Sequence, residues 1–153
     1  MEFCKSMDQF TSTLPFRSVV SSRATTLERI EPYVLSILRI MVGLLFCEHG
    51  MAKLFGFPPH GPIQHFPDLE FFAGSIECFG GALLALGLFS RVVAFLMSGE
   101  MAIGYFMMHA PKSFFPLLNG GDAAVLFCFI FLFLAVAGPG PLCLDALLWR
   151  KRA

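Results

Sequence analysis

Residues 38–57 read LRIMVGLLFCEHGMAKLFGF, an apolar run that carries Arg39, Glu48, His49 and Lys53 inside it. About 20 predominantly apolar residues suffice for a helix to cross a bilayer. An ionisable group at bilayer depth is costly unless paired or wetted, and is a functional-site candidate by default. The chemistry of this chain is therefore expected on this helix.

The flanking sequence has the same solvent. The 153 residues allow one domain, and 56% hydrophobic against 14% charged residues, with a mean hydropathy of +0.72, lies outside the range of a soluble domain of that size. The expected partner is the lipid bilayer. A formal net charge of zero leaves no basic footprint for nucleic acid. The cysteines, Cys4, Cys47, Cys78, Cys128 and Cys143, form neither a C-x-x-C nor a zinc spacing. They read as buried, inert thiols.

Along the chain, residues 1–32 are rich in Ser and Thr and lack the basic region and apolar core of a cleavable signal peptide. They read as a mobile cytoplasmic tail. Four apolar segments follow in a membrane domain over 33–145. The first, 33–55, is closed by a loop over 56–67 whose Pro58, Pro59, Gly61 and Pro62 cannot continue a helix. The second is 70–89, and the minimal Ser90-Arg91 turn makes it an antiparallel neighbour of the third, 92–109. Pro111 ends the third, because the residue before a proline is pushed out of helical geometry. Asn119-Gly120-Gly121-Asp122 restarts the chain into the fourth segment, which Gly138-Pro139-Gly140-Pro141 stops. Residues 146–153 form a basic cytoplasmic tail.

The positive-inside rule sets the expected orientation. Lys5, Arg17, Arg23, Arg29, Arg91, Arg150, Lys151 and Arg152 fall on one side, against Lys53 and Lys112 on the other. The fold expected is thus an all-α, integral membrane four-helix bundle with both termini in the cytoplasm.

Counting inward from the outer helix ends at about 1.5 Å per residue puts Glu48, His49, Glu77 and Glu100 at one level, roughly 10–13 Å deep. Lys53, His109, Asn119 and Asp122 lie above them near the outer mouth. At 100° per residue Arg39, His49 and Lys53 return to nearly one face, with Glu48 off it, and Gly74, Glu77, Gly80, Gly81 and Leu84 share another. Small residues on that second face allow close helix approach in lipid. Met97, Met101, Met107 and Met108 read as adaptable core filler around Glu100.

Two readings of this layer stay open. It is either a structural ion-pair network in which Arg39 and Lys53 bond the carboxylates, or a wet pocket open to the outside. Three acids against two bases favour the pocket, since the surplus carboxylate has to be protonated, wet or completed by a ligand. No Glu-x-x-His pair of a di-metal bundle occurs, and His60 and His65 are too few for a closed metal site, so no metal is expected. No Walker A, Rossmann or Gly-x-Ser-x-Gly sequence is present.

Three blocks resemble the DoxX family of small four-helix bacterial membrane proteins. They are His49-Gly50-x-x-Lys53-Leu54-Phe55-Gly56; Gly74-x-x-Glu77-x-x-Gly80-Gly81-x-x-Leu84-x-x-Gly87-Leu88-x-x-Arg91; and Asn119-Gly120-Gly121-Asp122 followed by Gly138-Pro139-Gly140. The family more often has Glu where this chain has Asp122. The resemblance covers about 35–145 and implies an inner-membrane protein in a family commonly labelled "putative oxidoreductase", some members being similar to the quinone-linked subunit of thiosulfate oxidation. No flavin, haem or metal motif is intrinsic to the sequence, so electrons would pass through a bound quinone or a partner redox subunit, and a homo-oligomer stays open. On this reading Glu77 and Glu100 exchange protons. Lys53 and His49 hydrogen-bond the quinone carbonyls, Arg39 holds the carboxylates ionised, and Glu48, His109, Asn119 and Asp122 complete the ligand site. The alternative is a non-catalytic membrane scaffold, chaperone or small-ligand-binding protein, because the family fold also resembles membrane chaperones and cargo receptors.

Overall fold

The structure, a computed structural model, describes the backbone of residues 15–59, 61 and 63–145, with side chains from Thr26 onward. Residues 1–14, His60, Pro62 and the 146–153 tail with Trp149 lie outside the described residues. Among the described residues every regular element is helical. Three helices are long and apolar enough to cross a membrane, and the last is a shorter apolar one.

Helix α1, Pro15–Phe55, starts well before the expected position and continues through Pro32. The sequence reading ended the helix at the polar stretch, yet a proline inside a spanning helix is tolerated where neighbouring groups compensate. The carbonyl that Pro32 deprives of an amide is that of Glu28, one bond of a 41-residue helix, and one turn on the Ser36 hydroxyl donates to the Pro32 carbonyl at 3.0 Å. Helix α2, Leu69–Leu86, holds one π-helical turn over Ile76–Gly80. It ends at Gly87, whose φ of +77° closes a left-handed cap, with the Gly87 and Leu88 amides both on the Leu83 carbonyl. Helix α3, Ser90–His109, starts at once and finishes in a second π turn, Tyr105–His109. A short α4, Pro116–Asn119, leads to α5, Asp122–Ala137.

The helices pack as two pairs, α1 along α2 and α3 along α5, and α2 touches α3 at their junction. The first pair is brought together by small residues. A Cβ on Gly81 would fall 2.6 Å from the Gly43 carbonyl oxygen, and one on Gly43 would fall 2.7 Å from the Ala85 nitrogen. Between the pairs lies a thin core of Val42, Phe46, Leu84, Val93, Ala94, Met97, Phe131 and Leu134. The Phe46 ring meets Phe131 edge-on at 4.8 Å. Ile37, Leu44, Phe79, Phe95, Phe129 and Phe133, by contrast, face outward. Such an outer apolar coat over a small core fits a multi-pass membrane protein whose outer solvent is lipid. Met97 joins the core as expected, whereas Met107 and Met108 are about half exposed on the outer side of the π turn.

Candidate functional site

The site starts from the α1–α2 contact. Gly74 presses on the Lys53 side chain, a Cβ there falling 3.0 Å from Lys53 Cβ, and this places the ammonium beside the π turn of α2. Lys53 Nζ donates to Glu77 Oε1 at 2.7 Å. Glu77 is buried and Lys53 partly exposed, so the pair sits where protein meets an opening. A π turn inserts an extra residue into helical spacing and is frequent at functional sites. Of the face predicted for Gly74, Glu77, Gly80, Gly81 and Leu84, all are buried as expected except Gly80, which is half-buried against Met97.

Among the described residues Glu77 Oε2 is buried without a hydrogen-bond partner, and so is Glu100 Oε2 on α3. Glu100 lies close enough to feel the charges of both Glu77 and Lys53. A cavity of 430 Å³ adjoins this group, lined by Glu48, His49, Ala52, Lys53, Pro58, Pro59, Gln64 and Glu70. Its roof is the 56–67 loop, held down by the Gln64 amide on the Lys53 carbonyl at 2.8 Å. His49 Nδ1 is 2.8 Å from the Leu45 carbonyl, which can only accept. The proton therefore sits on Nδ1, and in the neutral ring Nε2 is left as an acceptor. Glu48 and His49 are exposed.

The structure thus gathers Lys53, Glu77, Glu100, Glu48 and His49. It does not gather the rest. Arg39 is fully buried, and its guanidinium donates to backbone carbonyls alone among the described residues: Pro139 at 2.9 Å, Ala85 at 2.9 Å, and Leu84 and Leu142. The expectation that Arg39 keeps the carboxylates ionised is corrected: it ties the end of α2 to the segment after α5. Arg91 does related work, donating to the Val136 carbonyl at 2.6 Å and capping α5. Asn119 is a loop staple. Its Nδ2 donates to Ser113 O at 2.8 Å and to Tyr105 Oη at 3.3 Å, while Oδ1 accepts from the Gly121 amide at 2.7 Å. His109 stacks on Tyr105 and bonds the Asn119 carbonyl at 3.0 Å, so both residues hold the α3–α5 connection. Asp122 is exposed in the first turn of α5.

Sequence reasoning missed Glu70 as a lining residue. The signal was available: Glu70 precedes Glu77 by two helical turns and so shares its side of α2. It also missed Gln64, because folding of the loop back onto Lys53 is a tertiary event.

The comparisons with known proteins agree with the motifs. The DoxX family model matches residues 34–110. An uncharacterized protein of Haemophilus influenzae is 40% identical over 133 residues, covering 82% of this chain and 98% of that protein. A Bacillus subtilis protein named "Putative oxidoreductase CatD" is 28% identical over 122 residues, 76% of this chain and 87% of that one. No solved structure matches. The third motif block, at the two ends of α5, lies beyond the matched residues. The family model nonetheless covers half of the chain with the first two blocks, on α1 and on α2 and its turn, and this multi-pass membrane protein belongs to the DoxX family.

Proposed function

We propose that the protein is a subunit of a quinone-linked redox system of the bacterial inner membrane, with both termini cytoplasmic and the cavity opening to the periplasm. The observation that carries this reading is the excess of carboxylate oxygen around one ammonium: Glu77 Oε2 and Glu100 Oε2 are buried and unpartnered beside the Lys53–Glu77 pair. Each such group costs about 1–3 kcal/mol. Two of them in one place suit a site completed by a proton or by a donor on a ligand.

The cavity has the size of a small-molecule site. A quinone ring is apolar with two carbonyl acceptors, and when bound it would supply two-electron, two-proton chemistry. Lys53 has three N–H groups and uses one on Glu77, so the others can hold a carbonyl. His49 Nε2, an acceptor in the neutral ring, suits the hydroxyl of the reduced form better than the carbonyl of the oxidised one. Glu77, bonded to Lys53 of the cavity lining, and Glu100 behind that lining would take up or release the protons. The name of the Bacillus subtilis relative favours the same class of activity.

A second reading, a non-catalytic scaffold, chaperone or small-ligand-binding protein, is favoured by Arg39 and Asn119, whose buried polar atoms hold only the fold. One experiment separates the two. The protein is purified in mild detergent, extracted with organic solvent, and bound small molecules are identified by mass spectrometry. Quinone near one per chain, lost in Glu77→Gln and Lys53→Met variants that still fold, supports the redox subunit. A well-folded protein without quinone overturns it and leaves the scaffold.

A further inference from the structure

Cysteines far apart in sequence meet beside the candidate site. Cys47 of α1 and Cys78 in the π turn of α2 lie on the α1–α2 contact close enough for their thiols to interact, and both thiols are free. The meeting is built by two glycines. A Cβ on Gly81 would fall 2.9 Å from Cys47 Cα, and a Cβ on Gly50 would fall 2.6 Å from Cys78 Cα. Each helix therefore lays a glycine against the other helix's cysteine, which brings the two backbones into direct contact. Both side chains are only half buried, in contrast to Cys143. Each also neighbours an acid of the site in sequence, Glu48 after Cys47 and Glu77 before Cys78.

We infer that Cys47 and Cys78 are a redox-active dithiol of the membrane domain that closes to a disulfide by giving its electrons to a quinone. In the step both S–H bonds break and one S–S bond forms. Two electrons and two protons pass to the quinone, which becomes the hydroquinone. A disulfide requires Cα atoms about 4.4–6.8 Å apart, and glycines at the crossing let the two helix backbones come close. The inference rests on the quinone reading for its oxidant and adds to it the electron donor.

The test uses the full chain in detergent, reduced under nitrogen. It is treated with a short-chain, fully ring-substituted benzoquinone, which cannot add a thiol to the ring by losing a ring hydrogen. The protein is then denatured, labelled with N-ethylmaleimide and weighed, and bound quinone is measured on a parallel sample by gel filtration. The chain has five cysteines, so closure of one pair lowers the uptake from five labels to three. The expected result is three labels, with fragmentation placing the link at Cys47–Cys78. Cys47→Ser and Cys78→Ser are expected to keep four labels with or without quinone, while Cys128→Ser still loses two. Diamide, a non-quinone thiol oxidant, serves as a second arm. Five labels with quinone bound overturn the inference and leave the quinone site standing. Five labels without binding overturn both. Closure by diamide alone shows that the thiols can join but overturns the coupling to quinone.

Discussion

Lys53 Nζ and Glu77 Oε1 meet at 2.7 Å across the α1–α2 contact, and this ion pair leaves the second carboxylate oxygen of Glu77 buried with no partner among the described residues. The pair is thus a junction between the helices and an incomplete polar centre at once. Removing one charge from a buried pair typically costs about 3–5 kcal/mol because its partner stays behind. Lys53 is 30% exposed, so screening reduces this and Lys53→Met is expected to lose about 2 kcal/mol. Adding Glu77→Leu to it should recover most of the loss. Thermal unfolding in detergent of both single variants and the double variant measures this, and a purely additive double variant would show that the two side chains are not coupled.

Arg39 is expected to be a stability residue rather than a site residue. Its forked guanidinium reaches carbonyls at the end of α2 and in the segment after α5, which a lysine ammonium cannot reproduce. Arg39→Lys should cost about 3 kcal/mol or more, since more than one buried carbonyl loses its donor at about 1–3 kcal/mol each. Limited proteolysis should then cut within 138–145. Quinone retained per folded chain should stay at the wild-type level, and a selective loss of quinone would return Arg39 to the site.

Gly81→Ala probes the glycine contact. The added methyl would lie 2.5 Å from the Cys47 nitrogen, a clash that backbone must relieve by moving. Overpacking of this kind costs about 1–3 kcal/mol. The expected outcome is a lower melting temperature together with slower diamide closure of Cys47 to Cys78, because one displacement separates both. Gly104→Ala is the control, as open space surrounds its Cβ position. Equal effects of the two changes would remove the contact from the explanation.

Asn119→Ala should loosen the connection between α3 and α5 by about 1–3 kcal/mol, since the Ser113 carbonyl and the Gly121 amide both lose a partner. Asn119→Asp keeps the acceptor for Gly121 and should fall between the two. Hydrogen exchange of the amides over 113–121 reads this directly. Protection unchanged in Asn119→Ala would mean that stacking of His109 on Tyr105 holds the loop unaided.

The turn between α2 and α3 falls at 87–89 rather than at the expected Ser90-Arg91, but the lipid solvent, the apolar helices and the family were legible in the sequence. Each follows from local composition, or from motifs that lie within one helix or its turn. Counting depth and facing along a helix puts His49, Lys53, Glu77 and Glu100 at one level, and of these the structure joins Lys53 to Glu77. Counting gives a level and a face, but it does not say which neighbour a long side chain reaches. Arg39 was counted onto the carboxylate face, yet its length lets it take four backbone carbonyls that the end of α2 and the Pro139–Leu142 turn leave open. Asn119 was counted near the mouth and turned inward to its own loop. The Cys47–Cys78 meeting was invisible for the same reason: no spacing rule relates residues on different helices, and only the register fixed by Gly43, Gly50 and Gly81 decides which side chains touch. The sequence by itself determined the solvent and the helices. Tertiary structure alone decided the partners, because hydrogen bonds and thiol contacts act over a few ångströms and depend on how two helices are set against each other.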